Sequence, residues 1–197
     1  MGTEELPLFP LNAVLFPGGQ LSLRVFETRY LDLVRDCSHR GRGFGICLIL
    51  DGKEVGAPAL PAAIGCEARI IDFSSSPDGL LVLQVEGARR FHVDRSRVRD
   101  NGLVLGDVSW CSVPEAGEVK VEHELLATLL RRILDRAGPP HDAVQKSQFQ
   151  HPDWLGWRLA EWLPLSPEER QELLQTDDPH QRLQQLLHAV ARLQEDT

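Results

Sequence analysis

Five arginines fall between positions 89 and 99: Arg89, Arg90, Arg95, Arg97 and Arg99, with Phe91 among them. Guanidinium groups at that density can hold phosphate oxygens, and an aromatic ring can stack on a base. Arg89, Arg90 and Phe91 are therefore a candidate RNA patch. Against this stand Glu86, Asp94 and Asp100 in the same stretch and a formal net charge of −8 for the whole chain. An acidic total disfavours nonspecific binding to nucleic acid or anionic membranes, and a strand pair with a charged outer face explains the arginines without a ligand.

Other chemistries lack their parts. A phosphate-binding loop needs glycine amides around phosphate, then a lysine and a hydroxyl that reaches magnesium. The Gly52-Lys53 pair is followed by Glu54, and the position that should hold the first glycine is Cys47. There is no G-x-S-x-G elbow and no H-E-x-x-H helix. Asp177-Asp178 could be an acid pair, but it precedes Pro179 where a helix start needs caps. The seven histidines are scattered, and no nucleophile is placed beside one by spacing. Cys37, Cys47, Cys66 and Cys111 form no C-x-x-C pair and sit among apolar neighbours, which suits buried thiols in a reducing compartment better than zinc. The reading is a non-enzyme with no catalytic, cofactor or metal residue.

The bounds agree with that. At 197 residues and 42% hydrophobic, the chain can bury a core without disulfides or metals. Residues 1–116 carry 12 basic against 15 acidic side chains, and residues 117–197 carry 9 against 14, so both halves are acidic. The first seven residues have two acids and no basic cluster, and no apolar run reaches the length of a membrane span. A cytoplasmic protein is expected.

The elements follow from periodicity. Pro7 and Pro10 keep Leu6–Leu11 extended and predict an edge or irregular strand. An incompletely paired edge can accept a peptide by strand addition, so Leu6, Leu8, Phe9 and Leu11 are the candidate peptide-binding edge. Phe16-Pro-Gly-Gly19 is a turn, and Leu21, Leu23 and Val25 alternate as a strand. Phe26, Tyr30, Leu33, Val34 and Cys37 recur at helical spacing, predicting a helix over 27–39 with Phe26 and Tyr30 packed inward. A strand over 45–50 and a loop over 51–63 come next. The strands 68–73 and 80–85 form a hairpin about the turn cluster Ser74–Gly79. Gly87 breaks the second of these, 90–93 resumes it, and Asn101-Gly102 turns the chain into a last strand over 103–113.

Near Pro114 the period changes to helical. Leu125, Leu126, Leu129, Ile133 and Leu134 share one helix ended by Gly138. Trp154, Trp157 and Trp162 lie on a second, as bundle core rather than a peptide surface. Ser166-Pro-Glu-Glu169 is a capping box, Asp178-Pro179 repeats the device, and Leu183, Leu186, Leu187, Val190 and Leu193 make the last stripe. The expected division is 1–116 as a β-domain and 117–197 as a helical subdomain.

Three stretches carry a family resemblance. Leu6-Pro-Leu-Phe-Pro-Leu11, Val14-Leu-Phe-Pro-Gly18 and Val25-Phe-Glu-Thr-Arg-Tyr30 resemble the opening signature of the Lon protease N-terminal, substrate-binding domain. Phe44-Gly-Ile46, Gly65-Cys-Glu-Ala68 and Gly87-Ala-Arg-Arg-Phe-His-Val93 resemble its later β blocks. Leu163-Pro-Leu-Ser-Pro-Glu-Glu169, Leu173-Leu-Gln-Thr-Asp-Asp178 and Arg182-Leu183 resemble its helical end. The resemblance implies an α+β fold: a PUA-like β-barrel or folded sheet with one inserted helix, related to the cereblon β-domain, followed by a small helical bundle. It also implies protein quality control, with unfolded or tagged polypeptide as ligand and a protease or chaperone as partner, but none of Lon's ATPase or Ser-Lys protease chemistry.

Overall fold

The computed structural model describes residues 3–113, 115, 117–141 and 143–195, so Pro114, where the period changes, lies outside the described residues. The chain divides into two compact units, Met1–Cys111 and Ser112–Thr197.

The first unit contains β1 (Glu4–Leu11), β2 (Gln20–Val25), α1 (Thr28–Arg40), β3 (Phe44–Asp51), a two-residue β4 (Leu60–Pro61), β5 (Ile64–Ser75), β6 (Leu81–Val98) and β7 (Val104–Trp110). The strands are neighbours in the order β1-β7-β6-β5-β3-β4, and a β1–β3 pair closes the five longer ones into a ring. β1 makes the closure by changing partner. Glu4–Leu8 runs antiparallel to β7, and Leu8–Leu11 runs parallel to β3. Each half of the strand needs one ladder, so the donors missing at Pro7 and Pro10 are tolerated. β2 lies off the ring on the far end of β6.

The expected edge at β1 is thus corrected. Leu6, Leu8, Phe9 and Leu11 are all buried. Leu8 and Leu6 pack with Cys47, Phe91, Val104 and Val108 in one apolar cluster. Phe9 and Leu11 pack with Leu23, Val25, Tyr30, Leu33, Phe44, Leu83 and Val85 in a larger one. Ring closure turns an irregular proline strand into core.

Glycine acts at close approaches here. A Cβ on Gly45 would stand 2.6 Å from both Leu8 Cδ2 and Phe91 Cζ, and one on Gly65 would stand 2.6 Å from Phe91 Cζ. The ring of Phe91 fills the space that these two missing side chains leave. Gly87, expected to break a strand, instead lies within the continuous β6. It accepts from Gly18 N at 2.6 Å and donates to Gly19 O at 2.8 Å, and a Cβ there would sit 2.1 Å from the Phe16 carbonyl oxygen. The Phe16–Gly19 turn seats on β6 because Gly87 has no side chain.

The helix at 27–39 forms over Thr28–Arg40 and ends on Gly41, at φ +60. Tyr30 faces inward and stacks on Phe9 with ring centroids 3.9 Å apart. Phe26 does not: it precedes the helix and stays 51% exposed.

The second unit holds α2 (Glu124–Ala137), α3 (Pro152–Trp162), α4 (Pro167–Gln175) and α5 (Pro179–Glu195), with short 3-10 turns before α2 and α3. Its start signals act as the sequence implies. Ser166 accepts from Glu169 N while Glu169 accepts from Ser166 N, a complete capping box. Asp178 Oδ1 accepts from the amides of His180 and Gln181, so this carboxylate caps α5. Trp157 is buried beneath Arg182, whose guanidinium lies 3.3 Å from the ring centre. That fully buried arginine also pairs with Asp153 at 3.0 Å and donates to Thr176 O at 2.7 Å. Trp154 and Trp162 are half-buried.

Candidate functional site

The arginine stretch gives the RNA patch no support. Phe91 is fully buried and cannot stack on a base. Arg90 is buried as well. Arg89 is half-exposed, but its guanidinium lies 3.7 Å from the Trp110 ring centre and pairs with the buried Glu67 at 3.3 Å. Arg97 is paired with Glu5 and Asp107, and Arg99 lies 3.7 Å from Glu5. These charges tie β6 to β1, β7 and β5. The alternating period marked the segment as strand, but it could not say which face the ring would enclose.

Polar groups elsewhere also have structural work. Arg29 donates to Gly102 O at 3.1 Å and pairs with Glu27 at 3.0 Å, and Glu27 accepts from Gly56 N at 3.4 Å. This pair holds the β6–β7 turn and the loop after β3 against the start of α1. Burial pushes the Cys47 thiol up to about 12 and raises Cys66 and Cys37, so all three stay protonated and are poor nucleophiles. Among the described residues no group of three or more His, Cys, Asp or Glu side chains could hold a metal ion. Among the same residues no helix is long and apolar enough to cross a membrane.

What the first unit does expose is the outer half of β5. β3 pairs with β5 only at Cys66, Glu67 and Ala68. From Arg69 to Ser75 the strand has β6 on one side and, among the described residues, no paired strand on the other. Residues directly opposite one another in an antiparallel ladder share a face. Leu23 of β2 stands opposite Leu83 of β6, and Leu83 stands opposite Phe73 of β5. Leu23 is 5% exposed, Leu83 0% and Phe73 71%. The row of core side chains therefore runs out to the surface and stops at an aromatic ring on an unpaired strand. Ile70 lies opposite Val85 and packs on the same core. A register shift between Ile70 and Asp72 leaves Ile71 as the extra residue, half-exposed.

Chemically this is an acceptor for an extended chain. It offers an edge with no strand partner among the described residues from Arg69 to Ser75, where Phe73 N already donates to Asp72 Oδ1 at 2.8 Å, with two apolar side chains, Ile71 and Phe73, beside it. The sequence held a signal for it. Ile70-Ile71 breaks strict alternation within a strand, so one of the two must leave the core. Nothing in the sequence says that β3 begins at Phe44, opposite Ala68, and that is what opens the edge.

Comparison with known proteins gives a concordant result. A family model described as the ATP-dependent protease La (LON) substrate-binding domain matches residues 5–192. The Lon protease of Roseiflexus castenholzii is 27% identical over 198 residues, covering 98% of this chain and 24% of that protein. The Lon protease of Paraburkholderia phytofirmans is 29% identical over 198 residues, covering 95% of the chain and 24% of its own length. The chain thus spans about a quarter of the length of the curated relatives it matches. A crystal structure described as a Lon N-terminal domain protein from Xanthomonas campestris superposes with a TM-score of 0.80 at 55% identity, covering 94% of this chain and 98% of that one. The N-terminal domain of Mycobacterium avium complex Lon protease, at 20% identity and a TM-score of 0.67, shares the fold over 94% of this chain. From its β ring to its helical end, this chain belongs to the Lon substrate-binding domain family.

Proposed function

We propose that the chain is a polypeptide-recognition module that captures extended apolar segments along the open edge of β5, from Arg69 to Ser75. The observation that carries this reading is the apolar row Leu23–Leu83–Phe73, which ends exposed on an unpaired strand. A client segment laid beside β5 would continue the ladder through its backbone and place an apolar side chain against Phe73. Main-chain pairing suits a binder of many sequences, because every polypeptide carries the same donors and acceptors. The family's substrate-binding description supports a polypeptide ligand.

In this reading the module itself is non-catalytic and acts as a cytoplasmic adaptor, presenting clients to a protease or chaperone partner. Its buried Arg182 and its Ser166–Glu169 pair serve packing and capping, and burial keeps three of its thiols protonated. Affinity is modest, about micromolar or roughly −8 kcal/mol, because a disordered client loses chain entropy when it binds.

The test is fluorescence anisotropy of a labelled, unfolded, apolar peptide against the wild-type chain and against Phe73→Lys with Ile71→Lys. At least a tenfold loss of affinity, about 1.4 kcal/mol, is expected with the circular dichroism spectrum unchanged. Wild-type affinity in the double variant would remove β5 as the site. Single-stranded RNA in the same titration, with a salt series, checks the arginine stretch: no salt-dependent binding is expected.

A further inference from the structure

The helical unit has a second apolar surface that its own packing leaves unused. α2 carries two apolar stripes at the i, i+4 period. Leu126, Leu130 and Leu134 are buried within the unit. Leu125, Leu129, Ile133 and Ala137 form the other, and Leu125 is 62% exposed while Leu129 and Ile133 are half-buried. Leu129, Ile133, Ala137 and Trp162 of α3 line an open groove of about 430 Å³, and Arg132 and Arg136 border it. Both arginines are exposed, and neither has an ion pair among the described residues. In a chain that is acidic overall, these two cations stand one turn apart beside an apolar floor with no acidic partner among the described residues.

We infer that this groove is a docking site for an acidic amphipathic helix of a partner protein. The shape argues for a helix. The stripe from Leu125 to Ala137 is linear and about 18 Å long at the rise of an α-helix, the length of about three turns of an opposing helix. The charge argues for acid. Arg132 and Arg136 are one turn apart, about 6 Å along the axis, so carboxylates at i and i+4 of a partner helix meet both. Apolar residues one turn apart on the partner would then lie along Leu129 and Ile133, with Trp162 as the wall. A second aromatic supports that wall: His141 packs edge-on against Trp162 at 5.0 Å. This surface belongs to a different unit from the β5 edge, and the inference stands apart from the peptide-capture reading. It assigns one face to clients and another to a fixed partner.

The experiment uses the full chain and two labelled designed helical peptides. One carries leucine at i, i+4 and i+8 and glutamate at i+3 and i+7; the other has lysine in place of each glutamate. Anisotropy titrations are run on the wild type and on Arg132→Glu with Arg136→Glu, whose exposed side chains make the fold insensitive to the change. The wild type is expected to bind the acidic peptide at least about tenfold more tightly than the basic one. The double variant is expected to reverse that preference, a result that a merely structural role for the arginines would not produce. Ile133→Asp weakens both peptides, and Phe73→Lys changes neither. Equal binding of the two peptides, a preference that survives the double variant, or no binding of either overturns the inference. Sedimentation of the wild type as a dimer that the double variant dissociates would also overturn it, since the occupant would then be a second copy of the chain.

Discussion

β1, marked by its sequence as an irregular edge, is enclosed, whereas the outer half of β5, marked as one strand of a hairpin, is the edge. β1 contains two prolines yet has a neighbour along each half, and Leu6 to Leu11 are buried without exception. β5 contains no proline, yet from Arg69 onward it has one neighbour among the described residues, and Phe73 is 71% exposed. The difference teaches that proline content sets what a strand can donate, while topology sets whether it has an edge at all. β3 is the deciding element. It begins at Phe44, opposite Ala68, so it pairs β5 over only three residues, while its other edge closes the ring with β1.

The largest effect should come from β1. Leu8 is fully buried at the residue where β1 changes partner, and its methyl groups contact the space over Gly45 and Gly106. Leu8→Ala should cost about 4 kcal/mol in urea unfolding through lost area and a cavity. A cost below about 1 kcal/mol would mean that β1 is not core and the comparison fails.

Tyr30→Ala comes next, because the ring stacks on Phe9 of β1 and so anchors the strand to α1. About 3 kcal/mol of destabilisation is expected by the same measurement. Its removal should leave peptide binding intact where the protein is still folded. Loss of binding at full folding would tie the binding surface to β1 after all.

A smaller effect isolates the other unit. Burial raises the Glu161 carboxyl from 4.5 to about 7, and the nearby Arg158 and Arg170 oppose this only partly. A raised carboxyl favours the protonated folded form, so its contribution is complete below about pH 4.5 and is lost as pH rises to about 7. The helical unit should therefore lose stability over that window, and Glu161→Gln should flatten the slope. A slope of the opposite sign would mean that the ion pair with Arg158, at 3.0 Å, outweighs burial.

The smallest effect on stability should be at β5. Phe73→Lys removes an exposed side chain and should change unfolding free energy by no more than about 0.5 kcal/mol. A loss above about 2 kcal/mol would show the ring packed in the folded protein and would erase the contrast with β1.

Much of this fold could be read locally. The capping box at Ser166, the cap at Asp178, the Asn101-Gly102 turn and the helical stripes all rest on neighbours a few residues away, and each forms in place. The misreadings share a different cause. Phe91, Leu8 and Gly87 each depend on residues brought together by ring closure: Gly45 and Gly65 under Phe91, β3 and β7 beside Leu8, and the Phe16–Gly19 turn on Gly87. Alternation marks these residues as strand but carries no information about which face or edge is enclosed. The functional edge was hidden for the same reason, since an edge is the absence of a neighbour. Phe26 was misplaced by extending the helical period one turn too early.

The most direct test of the central claim is amide hydrogen exchange across Arg69–Ser75, with and without saturating unfolded peptide. Strand addition predicts that outward-facing amides of this segment, fast in the free protein, become protected in the complex. Amides of β1 should not change, because that strand is already enclosed. Protection that appears along β1, or saturable binding that leaves Arg69–Ser75 exchanging as fast as before, would contradict the account.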